Sequence, residues 1–260
     1  MPNVIVVKIG GAVFTTEDSI LQDFVTLQKE GKALVVVHGG GNIVTEWLQR
    51  QRIATRFVHG ERVTDKETLD VVVSLLGGLA NKGMVAAICN MGGRAIGISG
   101  VDGAMVQGKK RSEELGLVGE VLRVDTHLLD VLLAAGYIVL VSPLSLHASG
   151  RADIEPHILN INGDPLAGEI AAAVGAERLV FLTDVPGLLD GAGELRARLS
   201  AAEAEELVDS GAASGGMVPK IKACIRALSG TAVTRIIDGR KPHALLAEMA
   251  GEGGGTTIYR

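Results

Sequence analysis

The sequence predicts an α/β fold, a three-layer αβα sandwich with a mainly parallel open central sheet, and three observations carry that expectation. Six short apolar runs recur along the chain: "NVIVVKIG", "ALVVVHG", "RAIGISG", "YIVLVSP", "RLVFLTD" and "TRIIDG". They are apolar on both faces rather than alternating, which is the pattern of strands covered by helices on either side. Between them lie helical patterns such as "TLDVVVSLLGGLANKGMVAAICNMG", "DTHLLDVLLAAG", "AGEIAAAVGA" and "KIKACIRALSG", several of which close on Gly as a helix stop. Strand and helix in alternation build such a layered fold.

Bulk composition narrows the function classes. A length of 260 residues permits one large α/β domain or two fused lobes. With 47% hydrophobic residues and only 3% aromatics, the core must be aliphatic and rich in Ala and Gly. A net charge of −5 with both signs interspersed gives no sign of a nucleic-acid partner or an anionic membrane. Cys89 and Cys224 lack CxxC spacing, so neither a disulfide framework nor a zinc site is expected, and no residues are assigned to a protein-held metal. No apolar run approaches the ~20 residues of a membrane span. The opening "MPNVIVVKIGG" carries Lys8 inside its apolar stretch and has no cationic lead, unlike a secretory signal. These features lead to the expectation of a cytoplasmic protein with no membrane partner.

Taken in order, the first run ends in "KIGG" and the second, "VVVHGGGNIV", runs directly into His38 and a triple glycine. The polar segments 55–67 and 103–125 read as strands or hairpins over one edge. "GAGEL" and "DSGAASGGM" read as loops, and "GEGGGTTIYR" as a turn before a last short strand. "GAMVQGKK" comes near a phosphate-binding P-loop, but Lys110 stands where Ser or Thr should hold Mg²⁺, so a solvated basic hairpin is expected. No GxGxxG occurs, which leaves a dinucleotide-binding fold without its fingerprint.

In open sheets, ligands bind just beyond the carboxyl ends of the strands. Gly10 and Gly11 after the first strand, and Gly40 and Gly41 after the second, leave backbone N–H groups open to an anion, or else form two tight turns with nothing bound. Lys8 shares a face with Val4 and Val6, so it extends an apolar stripe to that edge, or simply ends the strand in solvent. Lys220 follows a glycine loop, with Pro219 expected at the first helical position and Lys222 solvated beside it. Asn160, Asn162 and Asp164 alternate, so they point one way if extended. Asp164 before Pro165 also reads as a helix N-cap. Arg62 offers a planar fork suited to a carboxylate, or is simply exposed. Thr183, Asp184 and Gly187 in "LTDVPGLL" form another ligand-edge loop, far enough along the chain for a second ligand.

These stretches, with "RFVHGERVTD", "GISGVDG", "LGLVGEV", "NINGD" and "SGGMVPKIKAC", resemble in order and spacing the amino acid kinase family, over essentially the whole chain. Within it they are similar to the branch that uses ATP and Mg²⁺ to phosphorylate the side-chain carboxylate of N-acetyl-L-glutamate, in arginine biosynthesis. The resemblance implies that Lys8 and Lys220 stabilise the transferring phosphoryl group and that Asp164 holds both lysines. It implies further that Gly10, Gly11, Gly40 and Gly41 supply N–H groups, and that Arg62, Asn160 and Asn162 bind the substrate. The nucleotide would lie over Thr183, Asp184, Val185, Gly187, Leu189, Ser214, Gly216 and Met217. Residues 1–175 would then form the lobe that binds substrate and dimerises, and residues 176–260 the nucleotide lobe. Gly163 and Pro165 depart from the family pattern, which usually has Ala and a Thr or similar residue there.

Because the chain starts almost at its first strand, without the extra N-terminal helix of arginine-inhibited relatives, a homodimer insensitive to arginine is expected. Its contact would use the 67–90 helix through Gly77, Gly78 and Ala80. Two other readings remain open: a sister kinase of lysine biosynthesis acting on an aminoadipyl or glutamyl group held by a carrier protein, and a catalytically silent amino-acid sensor.

Overall fold

The computed structural model describes residues 4–11, 17–58, 60–148 and 157–260. Ala12 and Val13 of the first glycine stretch, and His59 of "FVHGERVTD", lie outside them. The chain runs β1 (Val4–Ile9), α1 (Glu17–Lys29), β2 (Ala33–His38), α2 (Gly41–Arg50) and a small hairpin of β3 (Phe57–Val58) and β4 (Glu61–Arg62). A long helix follows: α3 (Lys66–Val72), a π-helical stretch (Val73–Ala80) and α4 (Asn81–Asn90). Then come β5 (Ala95–Gly100), the antiparallel pair β6 (Val106–Lys110) and β7 (Val118–Val124), α5 (His127–Ala134), β8 (Ile138–His147) and β9 (Ile158–Ile161). The rest is α6 (Gly163–Val174), β10 (Arg178–Thr183), β11 (Arg198–Ser200), α7 (Ala201–Asp209), α8 (Met217–Ala227), β12 (Val233–Asp238), α9 (Ala244–Met249) and β13 (Thr256–Tyr259).

Eleven strands form one sheet in the order β11-β13-β12-β10-β1-β2-β8-β6-β7-β9, with β5 also on β8. Strands β12, β10, β1, β2, β8 and β5 run parallel, as their two-sided apolar runs predict. The sheet as a whole is mixed, because β13 is antiparallel to β12, β7 to β6 and β9 to β8. The β6–β7 reversal has a plain cause: a short turn can join only antiparallel neighbours, and no crossover helix lies between them. The expected hairpin of 103–125 is this pair, and Lys110 is exposed at its end.

The two faces of β1 enter two cores. Val4 and Val6 pack in a cluster with Ile170 of α6 and Ile221 of α8, whereas Ile5, Val7 and Ile9 pack with Phe24 of α1, Ile88 of α4 and Leu245 of α9. Period-two alternation therefore puts Lys8 on the α6–α8 side, one step beyond Val6.

Three local expectations are corrected. Lys66–Asn90 is by length and composition long and apolar enough to cross a membrane, contrary to the reading that no run approaches that length. Its Leu69, Val72, Leu75, Leu76, Met84 and Ile88 are buried in the cores of this fold. The residue capping α6 is Asn162, whose side chain accepts from the Asp164 N–H at 3.0 Å, so Asp164 sits inside the first turn instead. Helix α8 begins at Met217, so Pro219 is its third residue and Lys222 lies beyond its first turn.

Gly163 opens α6 with ordinary backbone angles, and an added Cβ would stand 3.4 Å from Lys8 Cε and 3.7 Å from the His38 carbonyl. Those are van der Waals distances, so Ala fits. Gly163→Ala should stabilise by about 0.4–1 kcal/mol through the unfolded chain, a melting rise of roughly 1–4 °C. A lowered melting temperature in calorimetry would show that the position needs glycine after all.

Candidate active site

Three elements bring the charged groups together. Lys8 ends the buried stripe of β1, Asp164 lies in the first turn of α6, and Lys220 lies one turn into α8. Lys8 Nζ is 2.6 Å from Asp164 Oδ1, and Lys220 Nζ donates to Asp164 Oδ2 at 3.0 Å. All three side chains are largely buried, at 10%, 6% and 15% exposure, so water screens them little. Burial pushes the Asp164 carboxyl up, but Lys8 and Lys220 together outweigh it and hold the group below its ordinary value. One carboxylate between two ammonium groups leaves this cluster a net positive charge, which suits an anion.

Beside it the two glycine stretches meet. A Cβ on Gly11 would lie 3.7 Å from the Gly41 N and 3.9 Å from the Asn42 N. A Cβ on Gly39 would lie 3.7 Å from the Gly11 N and 3.9 Å from Lys8 Nζ. Bare backbone thus lets the chain just past β1 and the start of α2 approach each other closely, with Gly39 beside the lysine amine, and the N-terminal N–H groups of α2 have no intrahelical partners. Gly40, the N-cap, has φ 149°, and a Cβ there would stand 2.5 Å from Leu76 Cδ2. No other residue fits that position without strain. Gly10 serves the sheet, its N–H donating to the Leu182 carbonyl at 3.1 Å.

A cavity of about 240 Å³ opens next to Lys8, walled by Gly39, Gly40, Gly41, Arg62, Asn160 and Asn162 among others. Arg62 is only partly exposed. Its Nη2 donates to the Gly41 carbonyl at 3.0 Å and to Thr45 Oγ1 at 2.7 Å, and its guanidinium lies over the Phe57 ring. Its Nη1 is buried and, among the described residues, has no hydrogen-bond partner. A buried charged donor without an acceptor is costly unless a ligand supplies one. Asn160 donates to Thr64 Oγ1 at 3.1 Å, and Asn162 both caps α6 and donates to Glu61 at 3.3 Å. Asn162 therefore has the structural occupation that its spacing did not suggest.

A larger cavity of about 730 Å³ continues from the first through Gly60, Glu61 and Asn162 to Gly216, Pro219 and Lys222. Of the residues expected at a nucleotide, Gly216 lines it, whereas Thr183, Asp184, Val185, Gly187, Leu189, Ser214 and Met217 do not. Thr183 is buried at the end of β10, while Asp184, Leu189 and Ser214 are exposed on the same loops. Gly187 has a packing reason of its own: a Cβ there would meet Leu195 Cδ1 and Thr256 Oγ1, each at 2.7 Å. Among the described residues there is no cluster of three His, Cys, Asp or Glu to hold a metal.

Sequence reasoning missed His38, Asn81, Glu61, Thr45 and Thr64, which orient the residues above. His38 is fully buried, its Nδ1 2.9 Å from the Gly39 carbonyl and its Nε2 3.2 Å from Asn81 Nδ2. Burial pushes its imidazole down to about 4. The signal available was a polar residue closing an otherwise apolar strand directly before bare backbone.

The sequence pattern of the Amino acid kinase family matches residues 3–238. An acetylglutamate kinase of Dehalococcoides mccartyi is 47% identical over 256 residues, covering 98% of this chain and 94% of that protein. An acetylglutamate kinase of Thermosynechococcus vestitus is 44% identical over 257 residues, covering 96% and 85%. Among solved structures, an N-acetylglutamate synthase of Neisseria gonorrhoeae complexed with coenzyme A and N-acetyl-glutamate superposes with a TM-score of 0.85 at 25% identity, over 99% of this chain and 59% of that one. A fold, a set of motifs and relatives that agree along nearly the full length lead to one conclusion: the chain belongs to the amino acid kinase family.

Proposed function

We propose that the chain catalyses ATP-dependent phosphorylation of the side-chain carboxylate of N-acetyl-L-glutamate, giving N-acetyl-L-glutamyl 5-phosphate for arginine biosynthesis. The observation that carries this reading is the buried Lys8–Asp164–Lys220 cluster set against the amide nitrogens of two glycine stretches. The acceptor carboxylate has an ordinary pKa near 4.3 and is already ionised at neutral pH, so no general base is needed. What remains is in-line placement and stabilisation of the charge on the transferring group. Lys8 and Lys220 supply positive charge from opposite sides of the cluster, and Asp164 keeps both amines in register. The glycine N–H groups take the phosphoryl oxygens. Arg62 Nη1, with Asn160, takes the α-carboxylate and so sets the distance at which the side-chain carboxylate arrives.

ATP supplies the phosphoryl group, and Mg²⁺ neutralises its phosphates when bound. The donor set fits a triphosphate. Both Asp164 oxygens are committed to lysines, so the metal would be held chiefly by phosphates and water, as Mg²⁺ commonly is. We read the nucleotide onto the loops 183–189 and 214–217, with residues 1–175 as substrate lobe and 176–260 as nucleotide lobe of one layered α/β fold, acting in the cytoplasm. We also read it as a homodimer. The helix Lys66–Asn90 would supply the contact through Gly78 and exposed Leu79. Gly77 packs toward Leu144 and Ala80 is buried, so neither is free for that contact.

The test is hydroxylamine trapping of acyl phosphate with ATP and Mg²⁺ over N-acetylglutamate, glutamate, aspartate and N-acetyl-aminoadipate. Product from N-acetylglutamate alone is expected. Silence across the panel from folded, ATP-binding protein would replace this reading with a carrier-bound substrate or a sensor. Arg62→Ala should raise KM for N-acetylglutamate about 10–10²-fold, the cost of one charge-assisted hydrogen bond to a non-reacting group, while kcat changes less. An unchanged KM would remove Arg62 from substrate recognition.

A further inference from the structure

We propose that His38 is a positioning residue that presets the Gly39–Gly40 peptide so that the Gly40 N–H faces the phosphoryl site. The inference rests on the kinase reading for its kinetic consequence, but not for its geometry. The Gly39 carbonyl can only accept, so the ring nitrogen 2.9 Å away, Nδ1, must carry the proton. Nε2 is then an acceptor, and Asn81 Nδ2 stands 3.2 Å from it. The Asn81 amide is itself oriented by its surroundings. Its two Nδ2 hydrogens are shared with the Leu140 carbonyl at 3.2 Å and, more weakly, the Ile98 carbonyl at 3.4 Å, and its Oδ1 accepts from Lys82 Nζ at 3.2 Å. The Gly39 carbonyl and the Asn81 amide thus both call for the Nδ1–H tautomer.

That tautomer holds the Gly39 carbonyl toward a fully buried ring. A planar trans peptide places its N–H on the side opposite its C=O. The Gly40 N–H must then face away from the ring, and Gly39 and Gly40 both line the cavity beside Lys8. Among the described residues this N–H donates to no backbone carbonyl, so it is available to an anion. A peptide between two glycines turns over at little steric cost. Turned over, it would replace a donor with a carbonyl dipole at the point where negative charge gathers. His38 removes that alternative. It touches no substrate, and it is neither a base nor an acid in the transfer.

Two amides separate the two ring nitrogens. Asn reaches about as far as Nδ1 and can still donate to the Gly39 carbonyl, whereas Gln places its amide near Nε2 and keeps only the Asn81 contact. His38→Gln should lower kcat about 10²-fold, the loss of one preset oxyanion donor, with KM for N-acetylglutamate within about threefold. His38→Asn should recover most of that loss, at a comparable melting temperature. Equal losses in the two variants would overturn the proposal. Nitrogen-15 NMR of the wild-type imidazole decides the geometry independently of activity and of whether either variant folds. A protonated Nδ1 and bare Nε2, unchanged from pH 5.5 to 8, is expected, and the opposite tautomer would overturn it. A wild-type protein that makes no acyl phosphate yet shows the Nδ1–H tautomer would sink the proposed reaction and leave the preset peptide standing.

Discussion

Lys8→Ala should lower kcat by about 10²–10³-fold, as removal of one preorganised donor to a developing anion does in other enzymes. The size follows from where the amine sits. It is 8% exposed as a residue, 2.6 Å from Asp164, and a Cβ on Gly39 would stand 3.9 Å from its Nζ. In that setting an added positive charge acts through a low effective dielectric. Water filling the vacated space would have to reorganise as charge develops, whereas the lysine is already oriented. KM for N-acetylglutamate should change far less, because Arg62, proposed above to take the non-reacting end, keeps its contacts with Gly41 and Thr45. Single-turnover rates with saturating ATP would separate the two effects. Turnover within a few-fold of wild type would take Lys8 out of the mechanism.

Asp164→Asn should cost both stability and activity. The amide keeps the shape but not the charge, so two largely buried ammonium groups would face each other with nothing between them. Breaking a buried ion pair by removing one partner typically costs about 3–5 kcal/mol, and the partial exposure of both lysines places this case toward the lower end. The pH dependence has a definite sign. The folded-state carboxyl lies below its ordinary value, so its contribution is fully present above the unfolded carboxyl range. It is lost as pH falls through the folded value, where the native group protonates as well. Urea unfolding should therefore show a wide gap between wild type and Asp164→Asn at pH 7 that narrows as the solution is acidified below about pH 4. A gap that stays constant with pH would mean that the carboxylate charge is not what stabilises the cluster.

Much of the fold was legible because parallel strands buried on both faces write themselves as unbroken β-branched runs, as in "VIVVKI" and "ALVVVH". Helix ends were legible where one residue does the work, such as Gly175 in the left-handed conformation closing α6. Less legible were ends set by competition. Asn162, Gly163 and Asp164 can each open a helix, and the choice of Asn162 depends on where β9 releases the chain. The same holds for sheet direction at β9 and β13, which turn back against β8 and β12 with no strong local signal.

The site divides along similar lines. The sequence by itself determined an α/β chain, two glycine-lined strand ends and Lys8 at the end of an apolar strand face, whereas the grouping of Lys8 with Asp164 and Lys220 came as what the family resemblance implies. It could do so because strand period, helix period and glycine are properties of neighbouring residues. Only the tertiary structure decided how the Asp164 carboxylate reaches lysines from two distant segments, that Arg62 keeps one buried nitrogen without a partner among the described residues, and that His38 meets Asn81 across 43 residues of chain. Those pairings follow from strand order and helix packing, which bring distant segments within hydrogen-bond range and leave no trace in local spacing.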